Sequence, residues 1–351
     1  MDTQVLAREG EVKSTAKRPL RRPAARAEDL SASSSSSTHA LPAAAPAVLD
    51  ITVLMGGPSA EREVSLVSGA AIADALAGLG HRITRADISP ADTSALDRKG
   101  IDVVFIALHG SFGESGEVQT LCERRGLRYT GSPPRASELA IDKAASKEAF
   151  RRAGIITPEW AVIDSSHTDQ QNEALRRSIP LPVVVKPVDG GSSVDVTIAR
   201  RASGRDRAAA DVLVRYGRAM VERFIQGREF TVGILGDDVL PVLEIIPKRK
   251  FYDYRAKYTD CGTRYVFDHG LPEGAARAMQ EAALAAHRCL GCRDMSRVDF
   301  MLDAAMTPYL LEVNTIPGFT GHSLLPMAAR QVGISFPQLV GRIVDMAMKR
   351  G

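Results

Sequence analysis

Tyr309-Leu-Leu-Glu-Val-Asn-Thr-Ile-Pro-Gly318, with Arg297-Val-Asp299 shortly upstream, reads as two strands. Arg297, Asp299 and Met301 alternate with Val298 and Phe300, so one face carries a cation and a carboxylate. Glu312 and Asn314 share one face of the next strand, because side chains i and i+2 point the same way. If the strands pair, Asp299, Glu312 and Asn314 bring three oxygen donors to one point. Hard oxygen ligands suit Mg²⁺, which keeps waters and sits on substrate phosphates. The plainer reading of the same residues is a buried ion pair of Arg297 with Asp299 or Glu312, and the two readings stay open. The Asn-Thr-Ile-Pro-Gly turn favours the metal, since sites are built on loops at strand ends.

The 351 residues suffice for two or three domains of ordinary size. With 44% hydrophobic and 25% charged residues, the chain has the composition of a soluble globular protein. A net charge of +3 gives no electrostatic case for nucleic acid. No apolar run approaches the roughly 20 residues of a membrane helix. Four cysteines are too few for a disulfide framework and fit a reducing cytoplasm. Cys289-Leu-Gly-Cys292 has no second pair at metal spacing, and reads as helix-end core.

Residues 1–48, rich in Ala, Arg, Pro and Ser, bury too little apolar surface to order and read as a disordered extension. The folded part opens with the strand Ile51–Met55, Gly56-Gly-Pro-Ser59 and a helix from about Glu61 to Gly78. A strand at Val103–Ala107 then runs into Leu108-His-Gly110. Apolar strands alternating with helices indicate a parallel α/β sheet, whose ligands sit beyond the carboxyl ends of the strands. A helix from Asp142 to Ala153 begins a second unit. The strand Val183–Pro187 leads through Asp189-Gly-Gly-Ser-Ser193 to a return strand expected over 194–198. Such a hairpin loop either cradles phosphates with its N–H groups or is a tight turn. Glu222 and Glu229 flank a bend between two further strands, either as solvated edge carboxylates or as partners of nucleotide hydroxyls and amines. A helix over about 336–349 closes the chain.

At this point the residues resemble a known family. The runs are Gly56-Gly-Pro-Ser-Ala-Glu-Arg-Glu-Val-Ser65, His109-Gly-Ser-Phe-Gly-Glu-Ser-Gly116, Tyr129-Thr-Gly-Ser132, Asp142-Lys143, Lys186-Pro187 with Gly191-Ser-Ser-Val194, Phe251-Tyr-Asp-Tyr-Arg-Ala-Lys-Tyr258, and Leu311–Thr320 followed by Ser323-Leu324. In this order they resemble D-alanine–D-alanine ligase, of the ATP-grasp superfamily, over 50–349. The resemblance implies an ATP-grasp α/β fold: a parallel α/β domain (49–138), then two α+β domains that clamp the nucleotide, a lid domain (139–228) and a catalytic domain (229–351).

It also implies ATP-dependent joining of two D-alanines for peptidoglycan, through an acylphosphate, by a cytoplasmic homodimer. Lys143, Lys186 and Lys257 match the family's phosphate-binding lysines. Glu222 and Glu229 match its adenine and ribose contacts, with Phe224 and Ile225 along the purine pocket. Asp299, Glu312 and Asn314 match the ligands of two Mg²⁺ ions, with Mn²⁺ as the substitute. Arg297 and the N–H of Gly318 match the donors to the developing oxyanion. Glu61 would hold the ammonium of the first D-alanine, and Ser323 with the N–H of Leu324 the carboxylate of the second. Glu61, Ser192 and Tyr258 match a hydrogen-bonded trio that closes the site. For the base, His109 and Tyr258 are the candidates, and a structural role for His109 at its strand end stays open.

The chain departs from the family pattern at Gly190, where an acid is usual, at Asp195, where a glycine is usual, at Ser115 and at Asp268-His269. Asp195 brings a Cβ and a charge that would repel phosphates. Two alternatives therefore stand beside the leading expectation: a ligase taking D-serine or D-lactate second, and a nucleotide-binding relative with impaired turnover. Tyr258, generally missing from D-lactate-using relatives, favours an amine.

Overall fold

A computed structural model describes residues 47–191, 194–247 and 262–350. The expected extension over 1–48 falls outside the described residues except for 47 and 48, as do Ser192, Lys257 and Tyr258. The first unit runs β1 (Asp50–Met55), α1 (Arg62–Gly78), β2 (Arg82–Asp87), β3 (Val103–Ile106), α2 (Ser111–Glu114), α3 (Glu117–Arg124) and α4 (Pro134–Ile141). β1 lies between β2 and β3, all parallel. β1 and β3 are almost wholly apolar because both faces are covered. β2 (Arg82-Ile-Thr-Arg-Ala-Asp87) is charged, as an edge strand should be. On α1, Ser65, Ser68, Gly69, Ile72, Ala73 and Leu76 are buried at helical spacing. A Cβ on Gly69 would come within 2.5 Å of Met55 Cβ, so glycine permits this helix–strand approach.

The second unit comprises α5 (Lys143–Arg152), β4 (Trp160–Asp164), α6 (Asp169–Ser178), β5 (Val183–Pro187), β6 (Thr197–Ala199), α7 (Ala202–Tyr216) and β7 (Arg218–Arg223). Its antiparallel sheet has the order β4-β7-β5-β6. Asp142 caps α5, accepting from the N–H groups of Ala144 and Ala145 at 3.0 and 2.9 Å. The return strand expected from Val194 begins only at Thr197. Val194 and Asp195 instead form a turn, with Asp195 in the left-handed region at φ 55°.

The third unit is β8 (Gly227–Leu235), β9 (Asp238–Val239), β10 (Leu243–Ile246), β11 (Arg264–Val266), α8 (Glu273–Cys289), β12 (Met295–Asp303), β13 (Pro308–Asn314), α9 (Leu324–Gln331) and α10 (Phe336–Met348). The sheet order is β11-β10-β8-β12-β13, with β9 on β8. β8 is already under way at the boundary expected between 228 and 229. Val298, Phe300, Leu302, Leu310 and Val313 pack against Met279, Ala283 and Ala286 of α8. One face of this sheet is thus closed, and the opposite face is left for polar residues. α10, sequentially part of the third unit, returns to the first sheet. Its Leu339, Val340, Ile343 and Val344 share a core with Ile51, Val53, Ile72 and Phe105. Cys292 is buried as expected, whereas Cys289, at the last turn of α8, is exposed. Among the described residues no helix is long and apolar enough to cross a membrane.

His287, 4% exposed, sets its Nδ1 2.8 Å from Ser296 Oγ, and burial pushes its pKa down from 6.5 to about 4. The unfolded chain therefore binds a proton that the fold refuses. This contribution is intact above pH 6.5 and is lost as pH falls toward 4, by on the order of 2–3 kcal/mol. Urea unfolding from pH 7 to 4.5 should show the stability gap between wild type and His287→Asn narrowing on acidification. A gap independent of pH would contradict a buried neutral imidazole.

Candidate active site

The open face of the third sheet carries the opening motif. β12 and β13 pair so that Arg297 faces Asn314 and Asp299 faces Glu312, with a bulge between Asp299 and Phe300. All four side chains therefore stand on one side, as the alternation requires. The Arg297 guanidinium grips Asp299 with both prongs, Nε to Oδ1 at 2.9 Å and Nη2 to Oδ2 at 2.7 Å. Thr231 on β8 donates to Asp299 Oδ1 at 2.7 Å. The ion pair of the plainer reading is thus present within the constellation of the sharper one.

A cleft of about 380 Å³ opens between the second and third sheets. Lys143, Lys186, Glu222, Glu229, Asp299 and Glu312 line it, with Phe224 and Ile225 among its apolar walls. A smaller cavity of about 80 Å³ holds Glu61, His109, Arg297, Asn314 and Gly318. Lys143, Gly190, Gly191 and Glu312 line both, so the two spaces adjoin. Each expected site residue that is described lines one or the other except Ser323 and Leu324. These two sit at the start of α9, where Ser323 Oγ accepts from Thr320 N at 2.8 Å. A Cβ on Gly318 would stand 2.7 Å from that Oγ, so this helix start abuts the small cavity.

Helix α1 helps to place the cavity floor. Ser68 Oγ accepts from Phe319 N at 3.2 Å, while Ser65 Oγ donates to Ala107 O at 2.7 Å. The loop of Gly318 and the end of β3 are thereby fastened to one helix, whose N-cap is Glu61. A Cβ built on Gly191 would lie 3.6 Å from Glu61 Oε2, so the glycine loop passes directly over that carboxylate.

Charges in the cleft are paired. Lys143 Nζ stands 3.4 Å from Glu312 Oε2 and donates to Gly190 O. Glu222 is 2% exposed, so it is not a solvated edge residue. Lys147 Nζ lies 2.7 Å from its Oε2 and Lys186 Nζ 2.9 Å from its Oε1. Burial works to raise the Glu222 carboxyl, but the two ammonium groups outweigh it and hold the pKa below the usual range. Burial also pushes Lys147 down to about 8, against the opposing pull of Glu222. Glu114 is raised chiefly by burial, opposed by His109, whose Nδ1 stands 3.5 Å away. His109 Nε2 is buried and meets no hydrogen-bond partner among the described residues.

Sequence reading missed Lys147, Glu114 and Thr231. Lys147 had a signal: it lies one turn after Lys143 on the face that buries Ser146 and Phe150. Asp195, where phosphate repulsion was expected, turns its carboxylate to the hydroxyl of Tyr216 and to Arg215 Nη1 at 2.7 Å. The oxygen donor set suits a hard divalent cation. Two carboxylates and an amide oxygen meet on one sheet face, each with lone pairs beyond those in use. Among the described residues no three His, Cys, Asp or Glu side chains gather into a metal-sized group, and the third oxygen donor on this face is the amide of Asn314.

Residues 149–345, more than half the chain, match the family model described as D-ala D-ala ligase C-terminus, and 85–132 match D-ala D-ala ligase N-terminus. The chain belongs to the D-alanine–D-alanine ligase family. A ligase of that name from Anaeromyxobacter sp. (strain K) is 43% identical over 299 residues, 85% of this chain and 96% of the relative. The solved D-alanine–D-alanine ligase of Bacillus anthracis in complex with ATP is 32% identical, with a TM-score of 0.76 over 86% of this chain and 98% of its own. The VanG D-Ala:D-Ser ligase of Enterococcus faecalis is 28% identical, with a TM-score of 0.75 over 86% of this chain and all of its own. The fold is the ATP-grasp fold of this ligase family.

Thr231 is buried, and its bond to a carboxylate that already serves Arg297 makes it a support of the ligase constellation. Thr231→Val preserves shape and removes the donor. It should lower unfolding stability by about 1.5–3 kcal/mol in urea, the range for a hydrogen bond to a charged group. Unchanged stability would mean that Asp299 does not depend on this hydroxyl.

Proposed function

We propose that this chain joins two D-alanine molecules, converting ATP to ADP and phosphate through D-alanyl phosphate, to supply the dipeptide for peptidoglycan. One observation carries the reading: Arg297, Gly318 and Glu61 line a small cavity that shares Lys143 and Glu312 with the larger cleft. An acyl-transfer centre and a nucleotide site adjoin in that way. The naming of the relatives as D-alanine–D-alanine ligases supports the same reaction.

In this reading Phe224 and Ile225 flank the purine, Glu222 accepts from its amino group and Glu229 meets the ribose. Lys143 and Lys186, joined by Lys257, face the phosphates. Asp299, Glu312 and Asn314 would hold two Mg²⁺ ions, with Mn²⁺ as the substitute. Bound magnesium supplies neutralisation of the triphosphate charge, the main requirement of phosphoryl transfer. Glu61 fixes the ammonium of the first D-alanine so that its carboxylate oxygen attacks the γ-phosphorus. Ser323 and the N–H of Leu324 take the carboxylate of the second D-alanine at the α9 N-terminus. Its amine gives up a proton and attacks the acylphosphate carbon. Arg297 and the Gly318 N–H receive the oxyanion, and loss of phosphate leaves the dipeptide. His109, oriented by Glu114, and Tyr258 are the groups available to take the proton. Glu61, Ser192 and Tyr258 close the loop and keep water from the acylphosphate. The enzyme works in the cytoplasm as a homodimer.

Phosphate release from ATP should require both D-alanine and Mg²⁺, and should yield D-alanyl-D-alanine. Arg297→Ala should lower kcat by on the order of 10²–10³, the loss of one oxyanion donor. Release that ignores D-alanine would refute the reading. The likeness to a D-Ala:D-Ser ligase keeps D-serine as the second reading, and a larger kcat/KM with D-serine than with D-alanine as second substrate would establish it.

A further inference from the structure

Lys147 plays no part in the mechanism above, yet its placement is costly. Its side chain is fully buried, and an unpaired ammonium there would be strongly unfavourable. Three groups receive it: the Glu222 carboxylate at 2.7 Å, the Thr157 hydroxyl, and Pro158 O at 3.4 Å, with the Trp160 ring centroid 5.5 Å away. Thr157 in turn donates to Leu310 O on β13 at 2.7 Å. Lys147 does not line the cleft, but Glu222 does, beside Phe224 and Ile225. Lys186, the second cation on Glu222, lines the cleft itself and is committed to phosphate in the proposed function.

A carboxylate held between two cations is ionised, and an ionised carboxylate only accepts hydrogen bonds. A base edge laid against it must donate. Adenine presents a 6-amino group, which donates. Guanine presents a 6-oxo group at the same ring position, which would set acceptor against acceptor at a buried carboxylate. A site whose polar groups are left unpaired by the wrong ligand discriminates far more strongly than one that lacks only a packing contact.

We propose that Lys147, acting through Glu222, sets the preference of the cleft for an amino-bearing purine, adenine over guanine. Lys147 is a positioning residue that touches no substrate. The proposal rests on the reading that the cleft takes a nucleotide. Without the Lys147 charge, Glu222 keeps one cation, takes up a proton more readily, and becomes able to donate to a 6-oxo group.

The test is kcat/KM for ATP and for GTP in D-alanine-dependent phosphate release by the full chain, for wild type and Lys147→Met. The ratio of the two constants does not depend on how much of the variant is folded. A merely structural Lys147 would lower both in equal proportion, which would overturn the proposal. The expected result is a fall in the ATP:GTP ratio of on the order of tenfold to a hundredfold, the worth of one hydrogen bond to a charged group. Should Lys147→Met fail to accumulate, Lys147→Gln, which keeps a donor for Thr157, carries the same comparison. Glu222→Gln, able to donate and accept, should move the ratio the same way. Wild type that releases no phosphate from ATP with D-alanine defeats the proposed reaction instead. Equilibrium binding of ATP and GTP to wild type and Lys147→Met, which needs no turnover, then decides the base preference by the same ratio.

Discussion

The register between β12 and β13 is the constraint from which the site follows. Side chains alternate along a strand, so a slip of one residue would carry Glu312 and Asn314 to the face covered by α8. The register that sets Asp299 against Glu312 and Arg297 against Asn314 is held by the apolar half of the same strands. Val298, Phe300, Leu310 and Val313 must all meet the α8 stripe of Met279, Ala283 and Ala286. The hydrophobic layer thereby dictates where the carboxylates stand. A core that tolerates one register delivers its polar face as a by-product.

The second determinant is the way charge is stored out of water. Lys147, Glu222 and Lys186 form a buried triad of net positive sign, and a neighbouring cation–carboxylate pair joins Arg297 to Asp299. Buried ion pairs seldom stabilise a fold more than apolar residues of the same volume would. Their presence is better explained by the task than by stability. Preset dipoles and charges need no rearrangement when a triphosphate arrives. The same argument covers Asp195. Its carboxylate is turned onto Arg215 and Tyr216, so a negative charge at the margin of an anion-binding cleft is neutralised locally.

Much of this was legible in the residues. The alternation at 297–301, the shared face of Glu312 and Asn314, and the helices at about 61–78 and 142–153 are local patterns, and local patterns survive into the fold. The illegible parts depend on distant partners. Spacing puts Lys147 on the side of Lys143 and Phe150, but the partner that makes a buried lysine tolerable there, Glu222, lies far along the chain. Asp195 reads as an intrusion on a glycine site because its partners Arg215 and Tyr216 come at the end of the following helix. The left-handed backbone that an aspartate tolerates also delays the start of β6 to Thr197. Glu114 belongs to the run His109–Gly116, but its proximity to His109 follows from the turn of α2 rather than from spacing.

The docking of α10 on the first sheet ties the first described strand to the last described helix. Arg350 reinforces the closure, meeting the Asp294 carboxylate at 2.7 Å and Tyr129 O at 2.8 Å, while Gly131 N donates to that carboxylate at 2.7 Å. During synthesis β1 and β3 leave the ribosome long before the helix that covers them. The part of their core that α10 fills, beside Ile72 and Leu76 of α1, stays incomplete until that helix has emerged, so this unit cannot mature in order of its emergence. A stop within α10 would leave the cleft residues intact and still deny the first sheet this covering.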